Sequence, residues 1–209
     1  MIVMPSNNSG QVCSEIFRKY PGRLAHLHSA DSLRRPKFGL DWSLDNGVFG
    51  AFTRGVPWDG TNFYEWLDEF GHLKPNWVVI PDAVGDRDKT LKMWDEHSPS
   101  VAQFNVPMAF VAQDGMTPKD VPNNADIVFI GGSTNWKWAN LQVFCDAFPN
   151  MVHVGRVNTI KNLFRAHHAG AISVDGTGWF RGDQKQLAGL YNYLAETSTT
   201  PLVGVDDCF

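Results

Sequence analysis

The chain has 209 residues, of which 43% are apolar and 19% are charged, and its formal net charge at pH 7 is −4. This acidic balance argues against a protein that coats nucleic acid through bulk attraction, although a local basic patch remains compatible with it. The three cysteines, Cys13, Cys145 and Cys208, are far apart and form no CxxC pair. The pattern therefore favours neither a disulfide framework nor a cysteine-rich zinc site.

The chain shows no linker-like stretch, so we expect a single domain over residues 1–209. Its first ten residues lack the charged and apolar regions of a secretory signal, and no run approaches the ~18 apolar residues of a membrane span. We therefore expect a cytoplasmic protein with no membrane partner.

Taken in chain order, short apolar runs alternate with helical patterns. The runs that predict strands are Ile2–Met4, Arg23–His28, Phe38–Leu44, Trp77–Ile80, Pro107–Ala112, Asp126–Ile130, Met151–Val154, Ala171–Val174 and Pro201–Val205. The segments that predict helices are Thr61–Leu73, Asp88–Phe104, Trp138–Phe148, Ile160–His168 and Gln184–Glu196. Several runs are continuously apolar, which is typical of parallel strands buried on both faces.

This alternation predicts an α/β fold, and the number of strands suits a compact (β/α)8 TIM-type barrel in a single domain. A doubly wound open sheet is the competing interpretation. The absence of a GxGxxG segment after the first strand favours the barrel.

In a barrel, catalytic groups lie where strands end, so the residue after each run is a candidate. These candidates are Asp45, Asp82, Gln113, Asp114, Gly131, Gly132, Gly155, Arg156 and Asp175. Each one alone is also an ordinary turn residue. Together, these carboxylates, an amide and several glycines suit a flat, hydrogen-bonding ligand such as a purine. A carboxylate is also the usual nucleophile at a glycosidic carbon.

At these positions the sequence resembles the tRNA-guanine transglycosylase superfamily, whose fold is a (β/α)8 barrel. It is most similar to the phage and bacterial branch that inserts 7-deazaguanines into DNA. The similar segments are Asp45-Asn46-Gly47-Val48-Phe49, Ile80-Pro81-Asp82, Ala112-Gln113-Asp114-Gly115, Gly131-Gly132-Ser133, Gly155 and Ser173-Val174-Asp175-Gly176. Nothing matches the zinc subdomain of the tRNA branch, and the chain is shorter than tRNA-acting members. DNA is therefore favoured over tRNA as substrate.

The resemblance implies covalent guanine exchange without metal or cofactor. Asp175 would attack C1′, and Asp45 would act as general acid and base. Asp82, Gln113, Gly131, Gly132 and Gly155 would form the slot for a free purine or a 7-deazaguanine. Phe49 is a candidate to stack on the base, and Arg156 is a candidate phosphate contact. A homodimer or an accessory protein would supply further DNA-binding surface.

Three other functions stay open from the sequence. A glycosidase on the same scaffold would let water resolve the intermediate. A metal-dependent amidohydrolase would use His26, His28, His153 and Asp175 as ligands. A binder of modified bases would lack catalysis. The segment Trp136-Lys137-Trp138 is either a lid over the slot or a cap of the barrel.

Overall fold

The computed structural model describes residues 1–6, 10–31, 41–180 and 183–198. Eight parallel strands form one sheet in the order β1-β8-β7-β6-β5-β4-β3-β2. The strands are β1 Ile2–Pro5, β2 His26–Ser29, β3 Trp42–Asp45, β4 Val78–Val79, β5 Met108–Ala112, β6 Ile127–Ile130, β7 Val152–Val154 and β8 Ser173–Gly176. Parallel bridges from Val3 to Leu24 and from Ser6 to Leu27 connect β1 to β2. The sheet therefore closes almost completely, and the prediction of a (β/α)8 barrel is confirmed.

Seven helices lie between and after these strands in the described ranges. They are α1 Gln11–Lys19, α2 Val48–Arg54, α3 Thr61–Phe70, α4 Arg87–Ala102, α5 Thr134–Ala147, α6 Ile160–Ala169 and α7 Gln184–Ser198. The five predicted helices are present with shifted ends, whereas α1 and α2 were not predicted. The predicted strand Pro201–Val205 and Cys208 lie outside the described residues.

The barrel has an inner and an outer apolar layer. Along β5, Ala109 and Val111 belong to the inner cluster, together with Met4, Leu27 and Trp77. Phe110 and Ala112 belong instead to the larger cluster between the strands and the helices. Both faces of such a strand are buried, and this is why the apolar runs show no alternation with polar residues.

The two histidines of β2 point away from the barrel interior. The Cys13 Sγ of α1 lies 3.6 Å from His26 Nε2, and the ring of His28 stacks on Trp66 of α3 with 5.5 Å between centroids. Leu27 between them faces the inner cluster. The prediction that His26 and His28 begin a metal site with His153 and Asp175 is therefore wrong, because successive residues of a strand face opposite sides. Within the described ranges, no group of three or more His, Cys, Asp or Glu side chains could bind a metal ion.

No helix in the described part of the chain combines the length and the apolar character that crossing a membrane requires.

Candidate active site at the barrel mouth

A cavity of about 530 Å³ opens at the carboxyl ends of the strands. The predicted residues Asp45, Asp82, Gln113, Gly131, Gly132, Arg156, Asp175 and Phe49 all line it. Gly155 lies directly behind the wall, against Phe129 and Asp175. Further polar side chains in the lining are Ser6, Ser29, Asn46, Thr53, Asn158 and Thr177. The structure thus brings these residues together, because parallel strands end at one rim. The predicted residue Asp114 does not line the cavity and accepts a hydrogen bond of 2.6 Å from the Ser133 N–H.

Asp45 is the last residue of β3, and its carboxyl group faces the cavity. Its Oδ1 accepts a hydrogen bond of 2.9 Å from the Gly47 N–H. The pKa of Asp45 is raised to about 7, mainly by burial and also by the charges of Asp175 and Asp82, against the lowering effect of the Gly47 hydrogen bond. A carboxyl group that titrates near neutral pH can both accept and donate a proton at the working pH.

Asp82 follows β4 and is held by two amide side chains. Asn46 Nδ2 donates to Asp82 Oδ1 at 2.8 Å, and Gln113 Nε2 donates to Oδ2 at 2.7 Å. The Gln113 Oε1 in turn accepts from the Gly85 and Gly132 N–H groups, at 3.0 and 3.2 Å. Burial raises the pKa of Asp82, and the two amide hydrogen bonds oppose that rise. Asp82 is therefore a fixed part of the wall with few free lone pairs.

Asp175 lies on β8 and uses both carboxylate oxygens. His153 Nε2 lies 3.1 Å from Oδ2, and the Arg156 backbone N–H donates to Oδ1 at 3.2 Å. The Ser173 Oγ lies 2.7 Å from the other ring nitrogen, His153 Nδ1. The tautomer with hydrogen on Nε2 satisfies both contacts, because Ser173 then donates to Nδ1. His153 therefore orients Asp175 from inside the barrel.

Arg156 follows β7 and brings a positive charge to the rim. Its Nη2 donates to the carbonyl oxygens of Gly131, at 3.2 Å, and Gly132. The guanidinium carbon lies 4.6 Å from the Phe49 ring centroid, and Phe49 stacks on Phe52 of α2. Among the residues that the structure describes, Arg156 is the basic side chain in the cavity lining. It is exposed and can bind an anionic group of a ligand.

Glycines let neighbouring groups approach the wall closely. A Cβ on Gly155 would lie 2.6 Å from Phe129 Cε1, and one on Gly131 would lie 2.8 Å from Val111 Cγ1. Gly132 has a φ of 47°, a backbone conformation that residues with a side chain rarely adopt. These glycines are thus explained by packing, with or without a ligand.

Sequence reasoning did not assign the roles of three residues in this region. Asn46 and His153 fix Asp82 and Asp175, and Lys137 is buried behind Gly155. Helical spacing could have indicated Lys137, because Leu141 and Phe144 follow it on the buried stripe of α5. The orientation of His153 could not be determined, since the register of β7 is not readable from three residues.

The aromatic segment Trp136-Lys137-Trp138 belongs to the first turn of α5 and is not a separate lid. The Trp136 ring packs edge-on against Phe144 of the same helix. Trp179 is fully buried in the outer core. Phe49, the predicted candidate for stacking on a base, lines the cavity.

Comparison with known proteins identifies the fold of the chain but does not assign it to a family. No family model and no curated protein matches the chain. Solved structures do match, among them one described as "Native KDPGal structure", at a TM-score of 0.53 and 11% identity over 94% of this chain and 92% of that chain. A likeness at this identity establishes the barrel scaffold alone.

The prediction of guanine exchange on DNA is corrected by this comparison. The matched barrel is the one described as "Native KDPGal structure" and not a transglycosylase, and the glycosidase alternative gains no better support. The physical reason lies in the barrel itself. Strand ends are turns rich in Asp, Asn and Gly, and many unrelated reactions use the polar residues gathered there. The short segments that resemble the transglycosylases in the same order along the chain therefore indicated the barrel scaffold and not the reaction.

Proposed function

We propose that this chain is an enzyme that transfers protons on a small hydroxylated carbonyl compound, in a carbon–carbon lyase reaction of the aldol type. The observation that carries the proposal is Asp45, a carboxyl group in a cavity of about 530 Å³ with a pKa of about 7. General acid–base catalysis is most effective when the pKa of the group is close to the working pH.

In the cleavage direction, the Asp45 carboxylate takes the proton of a substrate hydroxyl group. The O–H bonding pair becomes the second bond of a new carbonyl group, and the adjacent carbon–carbon bond breaks. Its electron pair moves into the remaining fragment as an enolate. Asp45, now protonated, returns the proton to the enolate carbon, so the acid and base roles belong to one residue.

Arg156 supports the second requirement of this chemistry, which is a positive group for developing charge. Its guanidinium lies at the cavity rim on the face of Phe49, and two of its contacts are neutral backbone carbonyl groups. A carboxylate or an enolate oxygen of the substrate can therefore pair with it without displacing an ion pair. The substrate class is then a small 2-oxo acid or its hydroxylated aldol product.

The barrel scaffold is compatible with this proposal, since its active sites assemble from the ends of several strands. The similarity to the KDPGal structure contributes the scaffold, and the reaction class is argued from the site. Two neighbouring carboxyl groups, Asp82 and Asp175, are fixed by hydrogen bonds and leave Asp45 as the group free to move a proton.

Proton transfer can be measured before the natural substrate is identified. The protein is incubated in D2O with pyruvate and with 4-hydroxy-2-oxo acids, and NMR follows deuterium incorporation at C3 together with release of pyruvate. We expect exchange or cleavage with the wild-type protein. Asp45→Asn should lower the rate by roughly 10²–10⁴, because the general base is lost at almost constant volume.

Asp95→Asn, an exposed carboxylate on α4, is the matched control and should react at the wild-type rate. Absence of exchange and cleavage across the whole panel would overturn the lyase proposal. Equal rates for Asp45→Asn and the wild type would overturn the role of Asp45.

A further inference from the structure

Lys137 is a buried cation behind the cavity wall. It lies four residues after Ser133, the N-cap of α5, and its side chain passes inward with only 2% of its surface exposed. The Nζ donates to the Gly155 carbonyl oxygen at the end of β7 and lies 5.6 Å from the Trp138 ring centroid. It does not belong to the cavity lining.

The carbonyl group that Lys137 contacts and the N–H that reaches Asp175 belong to one peptide group. Gly155 supplies the C=O, and Arg156 supplies the N–H, which donates to Asp175 Oδ1 at 3.2 Å. Asp175 is anchored on its other oxygen by His153. A cation at the oxygen of a peptide group withdraws electrons from it and makes its N–H a stronger donor.

Arg156 adopts a φ of 58°, which is uncommon for a residue with a side chain. This conformation turns its N–H toward the side chain of Asp175, while the next N–H, that of Val157, donates to the Asp175 carbonyl oxygen at 2.6 Å. The loop after β7 thus wraps around Asp175, and Lys137 fixes the first peptide group of that loop from behind.

The Lys137 ammonium group lies close to the charges of Arg156 and Asp175. Within the described ranges, no carboxylate oxygen lies within 4.0 Å of its Nζ. The pKa of Lys137 is lowered to about 8, mainly by burial and also by the nearby Arg156 charge, while the Asp175 charge opposes this shift. The titratable and charged groups that face it are therefore Arg156, Asp175 and, beyond Asp175, His153.

We propose that Lys137 is a positioning residue that orients the Asp175 carboxylate through the Gly155–Arg156 peptide group. Its influence on catalysis rests on the proposed function of the cavity, whereas its coupling to Asp175 does not. For the catalysed reaction, Lys137→Met should lower kcat by about tenfold with little change in KM, because Asp175 lines the cavity and its charge contributes to the raised pKa of Asp45.

The coupling is tested by NMR of the intact protein without substrate. The 13Cε resonance of Lys137 should titrate near pH 8 in the wild type, and the Arg156 amide proton should shift with the same midpoint. In Asp175→Asn, the Lys137 midpoint should fall by about half a pH unit or more, because the charge that favours the ammonium is removed. Asp146→Asn, an exposed carboxylate on the same helix, should leave the midpoint unchanged.

A Lys137 midpoint that is equal in the wild type and Asp175→Asn would overturn the proposal. The proposal would also be overturned if the chemical shift of the Arg156 amide proton did not change with the Lys137 midpoint in the wild type. This second readout requires no variant. Borohydride trapping of pyruvate on Lys137 would also overturn it, since the amine would then bond to the substrate. The two NMR measurements need no turnover. They therefore test the coupling between Lys137 and Asp175 even if the lyase assay shows no activity.

Discussion

At the scale of single residues, the three carboxyl groups of the cavity differ in what surrounds them. Asp82 and Asp175 accept hydrogen bonds on both oxygens, whereas one contact, from the Gly47 N–H, is shown for Asp45. Environments that differ in this way assign different roles to residues of one type. Two of the carboxyl groups build the wall, and the third is available to exchange a proton.

Replacing Asp82 by Asn should make Asp45 more acidic. The Asp82 charge is one of the causes that raise the pKa of Asp45, so its removal should lower that pKa by roughly half a unit. Proton exchange needs the Asp45 carboxylate, so the acid limb of the pH–rate profile should move to lower pH. The profile of deuterium incorporation between pH 5 and 9 measures this shift. An unchanged limb in Asp82→Asn, matching the Asp95→Asn control, would contradict it.

At the scale of elements, the sequence predicts strands better than side-chain directions. Continuous apolar runs such as Val78–Val79 and Met108–Ala112 are buried on both faces, and the predicted runs as a whole overlap all eight strands that the structure describes. Helix α2 has seven residues, with Val48 and Ala51 buried and Phe49 and Phe52 exposed. It was missed because so short an amphipathic pattern resembles a loop.

The same limit applies to the site. The predicted strand-end residues do meet at one rim, since that follows from the topology alone. The hydrogen-bond partners of these residues cannot be predicted from the topology. A hydrogen bond such as Gln113 to Asp82 or Lys137 to Gly155 depends on rotamers and loop geometry. The reaction depends on these partners, and the order of the strand-end motifs therefore predicted the scaffold correctly and the chemistry wrongly.

Strand β2 carries a prediction of its own, because its outward face buries His28 between aromatic rings. Among the described residues, neither ring nitrogen of His28 has a hydrogen-bond partner, and burial, with a smaller effect of His26, lowers its pKa to about 4. The neutral form is thus favoured by folding. Its contribution to stability is complete above the unfolded-state pKa of about 6.5 and is lost as the pH falls toward 4.

We expect the free energy of unfolding of the wild type to fall between pH 6.5 and 4 by an amount that includes up to about 3 kcal/mol from His28. In His28→Leu that part of the slope should disappear, although the absolute stability at pH 7 also changes. Urea denaturation at several pH values measures both slopes. The control is His72→Leu, at an exposed position, and equal slopes for the two variants would show that His28 is not the responsible group.

At the scale of the whole molecule, the barrel depends on a seam between β1 and β2 that consists of isolated bridges. Arg23 lies at this seam. Its backbone carbonyl accepts from Val3 N at 2.9 Å, while its guanidinium donates to the Thr197 carbonyl and hydroxyl oxygens at 3.1 and 2.6 Å. The side chain also lies 5.8 Å from the ring centroid of Tyr193. One residue thus joins the first strand, the seam and α7.

Arg23→Met should therefore weaken closure of the barrel while leaving the cavity intact, because Arg23 lies away from the cavity lining. Loss of several hydrogen bonds from a partly buried guanidinium should lower the free energy of unfolding by about 2 kcal/mol. Backbone amides of α7 should then exchange with solvent faster than those of α4, since local opening follows the lost contacts. Arg18→Met, at an exposed position on α1, should change neither quantity. If Arg23→Met destabilised α4 as much as α7, Arg23 would support the fold as a whole and not the seam.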